Sequence, residues 1–239
     1  MKALVAVDHV SAGYGDKVVV EGVSFEAHEG EVVAIFGANG SGKSTVLRAI
    51  LRTARILDGS ITVAGREVNL LAAYEIPALG VGVLPQGNSI FASLTVRENL
   101  TVALRLTNRH EIQGRISKVA AAFPEIAPFL DRQAAFLSGG ERQILGVCRA
   151  LVTDPKVVIL DEPGAGVAPG LLTSMLERVA QVVRQGGKAL LVVEHNAPVT
   201  LALADKALVL REGTVAYSGA AGGVSIEDLA RLMLQAEAR

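Results

Sequence analysis

The stretch Gly37-Ala38-Asn39-Gly40-Ser41-Gly42-Lys43-Ser44-Thr45 follows the apolar run Val32-Val33-Ala34-Ile35-Phe36. It leads into a segment where Val46 and Ile50, like Leu47 and Leu51, recur at i, i+4. A strand, a glycine-rich loop and a helix start in that order call for an α/β core. They turn the pattern G-x-x-x-x-G-K-[ST] into a phosphate-binding loop: glycines let backbone N–H groups converge on phosphate oxygens, and the helix dipole favours the negative charge. Lys43 is then expected to reach the β- and γ-phosphates and Ser44 to ligate Mg²⁺.

A chain of 239 residues, 50% of them hydrophobic, can bury one large core or two lobes, which excludes a disordered chain. The formal net charge of -1 supplies no basic excess, so nucleic acid is disfavoured as a partner. Apolar runs such as Ala189-Leu190-Leu191-Val192-Val193 are too short to span a bilayer, and Asp8 interrupts any leader-like start. The expectation is a chain that stays in the cytoplasm. The single cysteine, Cys148, falls on the apolar face of an expected helix and reads as core packing.

Along the chain, residues 4–36 read as strands: Leu4 to Val10, a turn at Gly13-Tyr14-Gly15-Asp16, and Val18 to Ala27. Tyr14, between glycines, is either a ring free to stack on a flat π-system or a loop-packing residue. Asp58-Gly59 reads as a turn before a short strand from Ile61 to Ala64. Val81 to Leu84 is a strand closed by Pro85-Gln86-Gly87. This leaves Gln86 at a strand end, where open α/β sheets bind ligands, or as a solvated loop residue.

Residues 95–136 change to a helical composition, with Thr95 and Glu98 spaced as a capping box. The segment ends at Leu137-Ser138-Gly139-Gly140-Glu141, where Ser138, Gly139 and Gly140 at a helix N-terminus offer a second anion site. Ile144, Val147, Cys148, Leu151 and Val152 then mark one apolar helix face.

The run Val157 to Leu160 drives into Asp161-Glu162-Pro163. Adjacent carboxylates repel, so two at the end of a buried strand suggest a bound cation. A helix over Leu171 to Val183 and a strand from Lys188 to Val193 lead to Glu194-His195-Asn196. By itself His195 is either a satisfied loop histidine or a catalytic one. Strands from Lys206 to Leu210 and Thr214 to Tyr217, a flexible stretch from Ser218 to Gly223, and a helix with Ile226, Leu229, Ala230 and Met233 on one face close the chain, with no internal repeat.

Taken together, Tyr14, Gly37 to Thr45, Gln86, Leu137 to Glu141, Asp161-Glu162 and His195 resemble, over the whole chain, the ATPase subunit of ABC transporters. They match Walker A, the Q-loop, the signature motif, Walker B with its glutamate, and the switch histidine. Leu84 to Gly87, Ser93 to Leu100, Ala168-Pro169 and Val193 to Asn196 look like the smaller ATPase of branched-chain amino acid importers, with urea and short-chain amide importers similar. Two positions depart from the family: Ala168 stands where an aspartate is usual, and Gly164 replaces a small hydroxyl residue.

The resemblance implies a P-loop NTPase core (1–87 and 143–239) with an antiparallel β lobe, and a helical subdomain over 88–142. It implies a homodimer or heterodimer with a second ATPase in which Tyr14 stacks on adenine and Gly37, Ala38, Asn39, Gly40, Ser41, Gly42, Lys43, Ser44 and Thr45 hold the phosphates. Ser138, Gly139, Gly140 and Glu141 of the other protomer would close the site. Ser44, Asp161 and Gln86 would hold Mg²⁺, while Glu162 polarises water and His195 keeps the γ-phosphate and Glu162 in register. It further implies ATP as substrate, two membrane permease subunits, an extracytoplasmic binding protein if the direction is import, and a place at the cytoplasmic face of the membrane. A lipid or lipopolysaccharide exporter ATPase is the alternative transport reading, and a non-transport ABC ATPase the alternative outside transport.

Overall fold

The computed structural model describes residues 2–87, 90–105 and 107–234. Asn88, Ser89 and Leu106, which fall in the expected helical segment, lie outside the described residues. The strands are, in chain order, β1 (Ala3–Tyr14), β2 (Lys17–His28), β3 (Val32–Gly37), β4 (Arg55–Val63), β5 (Arg66–Glu67), β6 (Val81–Leu84), β7 (Val157–Asp161), β8 (Ala189–Val193), β9 (Lys206–Arg211) and β10 (Thr214–Ala220). The helices are α1 (Lys43–Ile50), α2 (Val96–Ala103), α3 (Arg109–Ala122), α4 (Gly139–Leu151), α5 (Pro169–Gln185), α6 (Ala197–Leu203) and α7 (Ile226–Leu234).

Two sheets result. An antiparallel one runs β2-β1-β4-β5, and a second runs β10-β9-β3-β8-β7-β6, parallel except for the β10 edge. The parallel strands are apolar without alternation because both faces are covered. In β3, Val33 and Ile35 point to a core shared with α1 and the antiparallel sheet, which contributes Val5, Val7 and Ile61. Val32, Ala34 and Phe36 point the other way, to a core shared with α2 to α5. Strands β7 and β8 divide their residues between the same two cores.

The helical stretch is attached through this second core. Leu100, Leu104, Ile116 and Phe123 pack with Ile144 and Val147 of α4 and with Leu84 and Leu160 of the sheet. Thr95 caps α2: its hydroxyl accepts from the Glu98 N–H while the Glu98 carboxylate accepts from the Thr95 N–H. Asn99 is fully buried and ties this helix to its approach, accepting from the Phe91 N–H and donating to the Phe91 carbonyl. Cys148 is fully buried in the core, where the surrounding apolar atoms push its thiol pKa well up.

Several local expectations change. Asp58-Gly59 is not a turn; it lies inside β4, opposite a bulge in β1 between Asp8 and Ser11. Gly59 is needed there because a Cβ would come within 2.4 Å of the Asp8 and His9 carbonyl oxygens. Tyr14 pairs with Lys17 as the last residue of β1, so only Gly15-Asp16 turns. The stretch expected to be flexible takes regular structure: Ser218 to Ala220 extends β10 along β9, and Ala221–Gly223 forms one 3-10 turn. In α7 the apolar stripe is rotated from the expected one: Leu229 is buried with Leu232 and Met233 beside it, while Ile226 and Ala230 face solvent.

Helix α5 starts without a side-chain cap, because Ala168 occupies its exposed N-cap position and Pro169 follows. An aspartate there would accept from a first-turn N–H that has no partner in the helix. Ala168→Asp should therefore raise stability by about 1 kcal/mol. A urea unfolding curve whose midpoint rises with unchanged slope would show it.

Candidate active site

Four parallel strands, β3, β8, β7 and β6, lie side by side and end at one edge of the sheet. Each carries a candidate side chain just past its C-terminal end: the phosphate loop after β3, Gln86 after β6, Glu162 after β7 and His195 after β8. The open-sheet rule places ligands at this edge. A cavity of about 410 Å³ is lined there by Val19, Asn39, Gly40, the stretch from Gly42 to Thr45, Gln86, Glu162 and His195.

The loop is held by its own backbone. Gly42 has φ 100° and is the N-cap of α1, and a Cβ there would meet Val20 of the antiparallel lobe at 2.3 Å. Lys43 is 6% exposed. Its Nζ donates to the Gly37 and Ala38 carbonyls at 2.8 and 3.0 Å, leaving one N–H for an acceptor in the cavity. Burial lowers its pKa, opposed by the charges of Glu162 and Asp161. An ammonium disfavoured by burial at the N-terminus of α1 suits an anionic ligand such as a polyphosphate.

Asp161, also 6% exposed, accepts from Ser44 Oγ at 3.3 Å. Burial raises its pKa, the Ser44 hydrogen bond opposes that, and the neighbouring Glu162 charge adds to it. Glu162 has φ 55°, a left-handed conformation unusual for a side chain of its size, and its N–H extends the sheet by donating to the Val193 carbonyl at 2.8 Å. Its carboxylate is shared. Gln86 Nε2 donates to Oε2 at 2.8 Å, and His195 Nε2 lies 3.0 Å from Oε1.

The residues 20–165 match the family model described as ABC transporter. The chain is an ATPase of the ABC transporter family. It is similar to the branched-chain amino acid transport ATP-binding protein BraG of Pseudomonas aeruginosa, 37% identical over 89% of this chain and 91% of the relative. It is also similar to a probable branched-chain amino acid transport ATP-binding protein, LivF, of Archaeoglobus fulgidus, 36% identical over 89% and 90%. The lipopolysaccharide export ATP-binding protein LptB of Haemophilus influenzae is 32% identical over 91% and 90%. A solved ATP-binding subunit of an ABC transporter superposes with TM-score 0.83 at 25% identity, covering 97% of this chain and all of that one.

In this ABC ATPase not every candidate reaches the cavity. Tyr14 is 43% exposed at the end of β1, outside the cavity lining, and its hydroxyl accepts from Arg48 Nη1 at 2.9 Å. Ser138 to Glu141 form the capping box of α4, also outside the lining: Ser138 Oγ accepts from the Glu141 N–H, and the Glu141 carboxylate accepts from the Ser138 N–H. Sequence reasoning passed over Glu194, which is 6% exposed in the loop beside His195. It also passed over Val19, which brings the antiparallel lobe to the cavity wall.

Replacing Lys43 by alanine removes the buried charge on the cavity wall, the charge expected to meet the phosphates. ATP with Mg²⁺ at about a hundred times Kd should stabilise the wild type by ~2.7 kcal/mol, a melting shift of roughly 5 to 10 °C for a chain of this size. Lys43→Ala should lose most of that shift while melting near the wild-type temperature without nucleotide.

Proposed function

We propose that Glu162 is the general base of ATP hydrolysis and that the chain powers import of branched-chain or other hydrophobic amino acids. The observation that carries the catalytic part is the Glu162 carboxylate, held between Gln86 and His195 at 2.8 and 3.0 Å on the wall of the phosphate cavity. A carboxylate turned toward a phosphate site can orient and deprotonate water, and phosphoryl transfer needs alignment and charge neutralisation more than covalent help. His195 would bridge Glu162 and the γ-phosphate. Gln86, at the start of the connection into the helical segment, would couple Glu162 to that segment.

Among the described residues no group of three or more His, Cys, Asp or Glu side chains converges as a metal site. Ser44 and Asp161 offer two oxygens, which fits Mg²⁺, a cation that completes its shell with phosphate oxygens and water. Ser44 and Asp161 would hold it, with Gln86 as a further oxygen donor. When bound it neutralises charge on the β- and γ-phosphates.

The amino acid reading rests on the similarity to BraG and LivF, and the matching Val193 to Asn196 and Leu84 to Gly87 segments fit it. The similarity to LptB keeps an exporter ATPase as the second reading, which the permease that co-purifies with this chain would distinguish. In either case two copies, or this chain and a second ATPase, would close on ATP. Tyr14 would stack on adenine, and Ser138, Gly139, Gly140 and Glu141 of one protomer would face the nucleotide of the other. The pair would sit on two permease subunits at the cytoplasmic membrane face, with an extracytoplasmic binding protein on the import reading. Among the described residues no helix is long and apolar enough to cross a membrane, so a membrane pathway would come from those subunits.

Glu162→Gln keeps shape and hydrogen bonding but loses the base. Hydrolysis should fall by about 10² to 10⁴, ATP affinity should stay, and a dimer should accumulate on size-exclusion chromatography with ATP and Mg²⁺. Turnover near the wild-type rate would remove Glu162 from the role of base.

A further inference from the structure

Glu194 follows β8 and is 6% exposed, yet its carboxylate is fully engaged by backbone. Oε2 accepts from the Gly164 N–H at 2.7 Å, and Oε1 accepts from the His195 and Asn196 N–H groups at 2.8 and 3.2 Å. Charge-assisted bonds from backbone N–H groups are among the stronger ones, and a buried carboxylate is tolerated only when so satisfied. The two ends of this bridge are the loop after β7 and the loop after β8. Glu162 lies on the first and His195 on the second, and their side chains meet at 3.0 Å.

Gly164 has its reason here. A Cβ at that position would stand 2.7 Å from Glu194 Oε2 and 2.8 Å from Leu172 Cδ2, so the carboxylate occupies the space that a side chain would need. The glycine in place of a hydroxyl residue and the buried glutamate thirty residues later form one device.

We propose that Glu194 is a positioning residue for hydrolysis, a buried carboxylate that ties the loop carrying Glu162 to the loop carrying His195 and holds those two side chains in contact. It touches neither substrate nor reacting atoms, and the inference rests on the hydrolytic roles given to Glu162 and His195 above. Binding of the phosphates would rest mainly on the loop after β3, to which Glu194 makes no hydrogen bond, with His195 adding one contact to the γ-phosphate. Its loss therefore acts on turnover and leaves affinity in place.

The test measures kcat, KM for ATP, nucleotide affinity and melting temperature for Glu194→Ala and Glu194→Gln, each also combined with His195→Ala. Glu194→Ala should lower kcat on the order of 10- to 100-fold through misalignment, with KM and affinity unchanged within about twofold. Glu194→Gln can keep its oxygen toward His195 and Asn196 while its amide nitrogen faces the Gly164 N–H, which breaks the one bond between the two loops, so it should lower kcat to a similar extent. In the His195→Ala background, Glu194→Ala should add little, because the contact it maintains is already gone.

Wild-type kcat in Glu194→Ala overturns the proposal. Independent, multiplying losses with His195→Ala also overturn it, as does a loss that disappears once corrected for the folded fraction. Should Glu194→Ala fail to fold, Glu194→Gln decides by the same criteria. Glu162→Gln run alongside separates the two levels: if it turns over normally the hydrolytic reading fails, whereas an inactive Glu162→Gln beside a fully active Glu194→Ala sinks only the bridge.

Discussion

The site depends on the height at which neighbouring parallel strands end. Leu160 is paired with Val192 and Asp161 with Val193, and the Glu162 N–H continues the ladder onto the Val193 carbonyl. A slip of one residue in β7 would move Asp161 by about 3.3 Å and turn its side chain to the opposite face. The Ser44 hydroxyl would then be out of reach. The strand β6 is registered on β7 in the same way, Leu84 against Leu160, which puts Gln86 level with Glu162. The functional side chains are thus placed by backbone hydrogen bonds, and their own contacts with one another only refine the arrangement.

That placement brings the mostly buried Lys43 ammonium near the Asp161 and Glu162 carboxylates. Burial disfavours the Lys43 ammonium and the Asp161 carboxylate alike, shifting the first pKa down and the second up. A polyphosphate beside Lys43 and a divalent cation beside Asp161 would favour the charged form of each. The left-handed backbone of Glu162 adds local strain of the kind found where geometry is set by function.

Much of this was legible in the residues. The phosphate loop could be read because its strand, glycines, lysine and helix are contiguous, so local order alone carries the geometry. Asp161, Glu162, Gln86 and His195 could be placed at strand ends for the same reason, and the Thr95–Glu98 capping box is a three-residue spacing. Asp58-Gly59 misled because the left-handed glycine of a hairpin turn also serves a bulge, and only the partner strand, with His9 at φ 48°, decides between them. The burial of Glu194 was hidden because its partners include Gly164, distant in sequence; the one available signal was the unexplained glycine after the Walker B proline. The exposed Ala230 shows the limit of periodicity: a small residue fits either edge of an apolar stripe, and packing against β9 selects the edge.

The strand β3 is covered on one side by the core that includes α1 and the antiparallel sheet, and on the other by the core that includes α2 to α5. It is hydrogen-bonded on both flanks, to β8 and to β9. Its amide protons, from Ala34 to Phe36, lie in these two ladders between the two cores, so they should be among those that exchange with solvent on global unfolding. The phosphate loop begins at the very next residue. A strand paired on both flanks and covered on both faces therefore abuts the loop that lines the cavity, and a few residues separate backbone tied to global unfolding from backbone free to open locally.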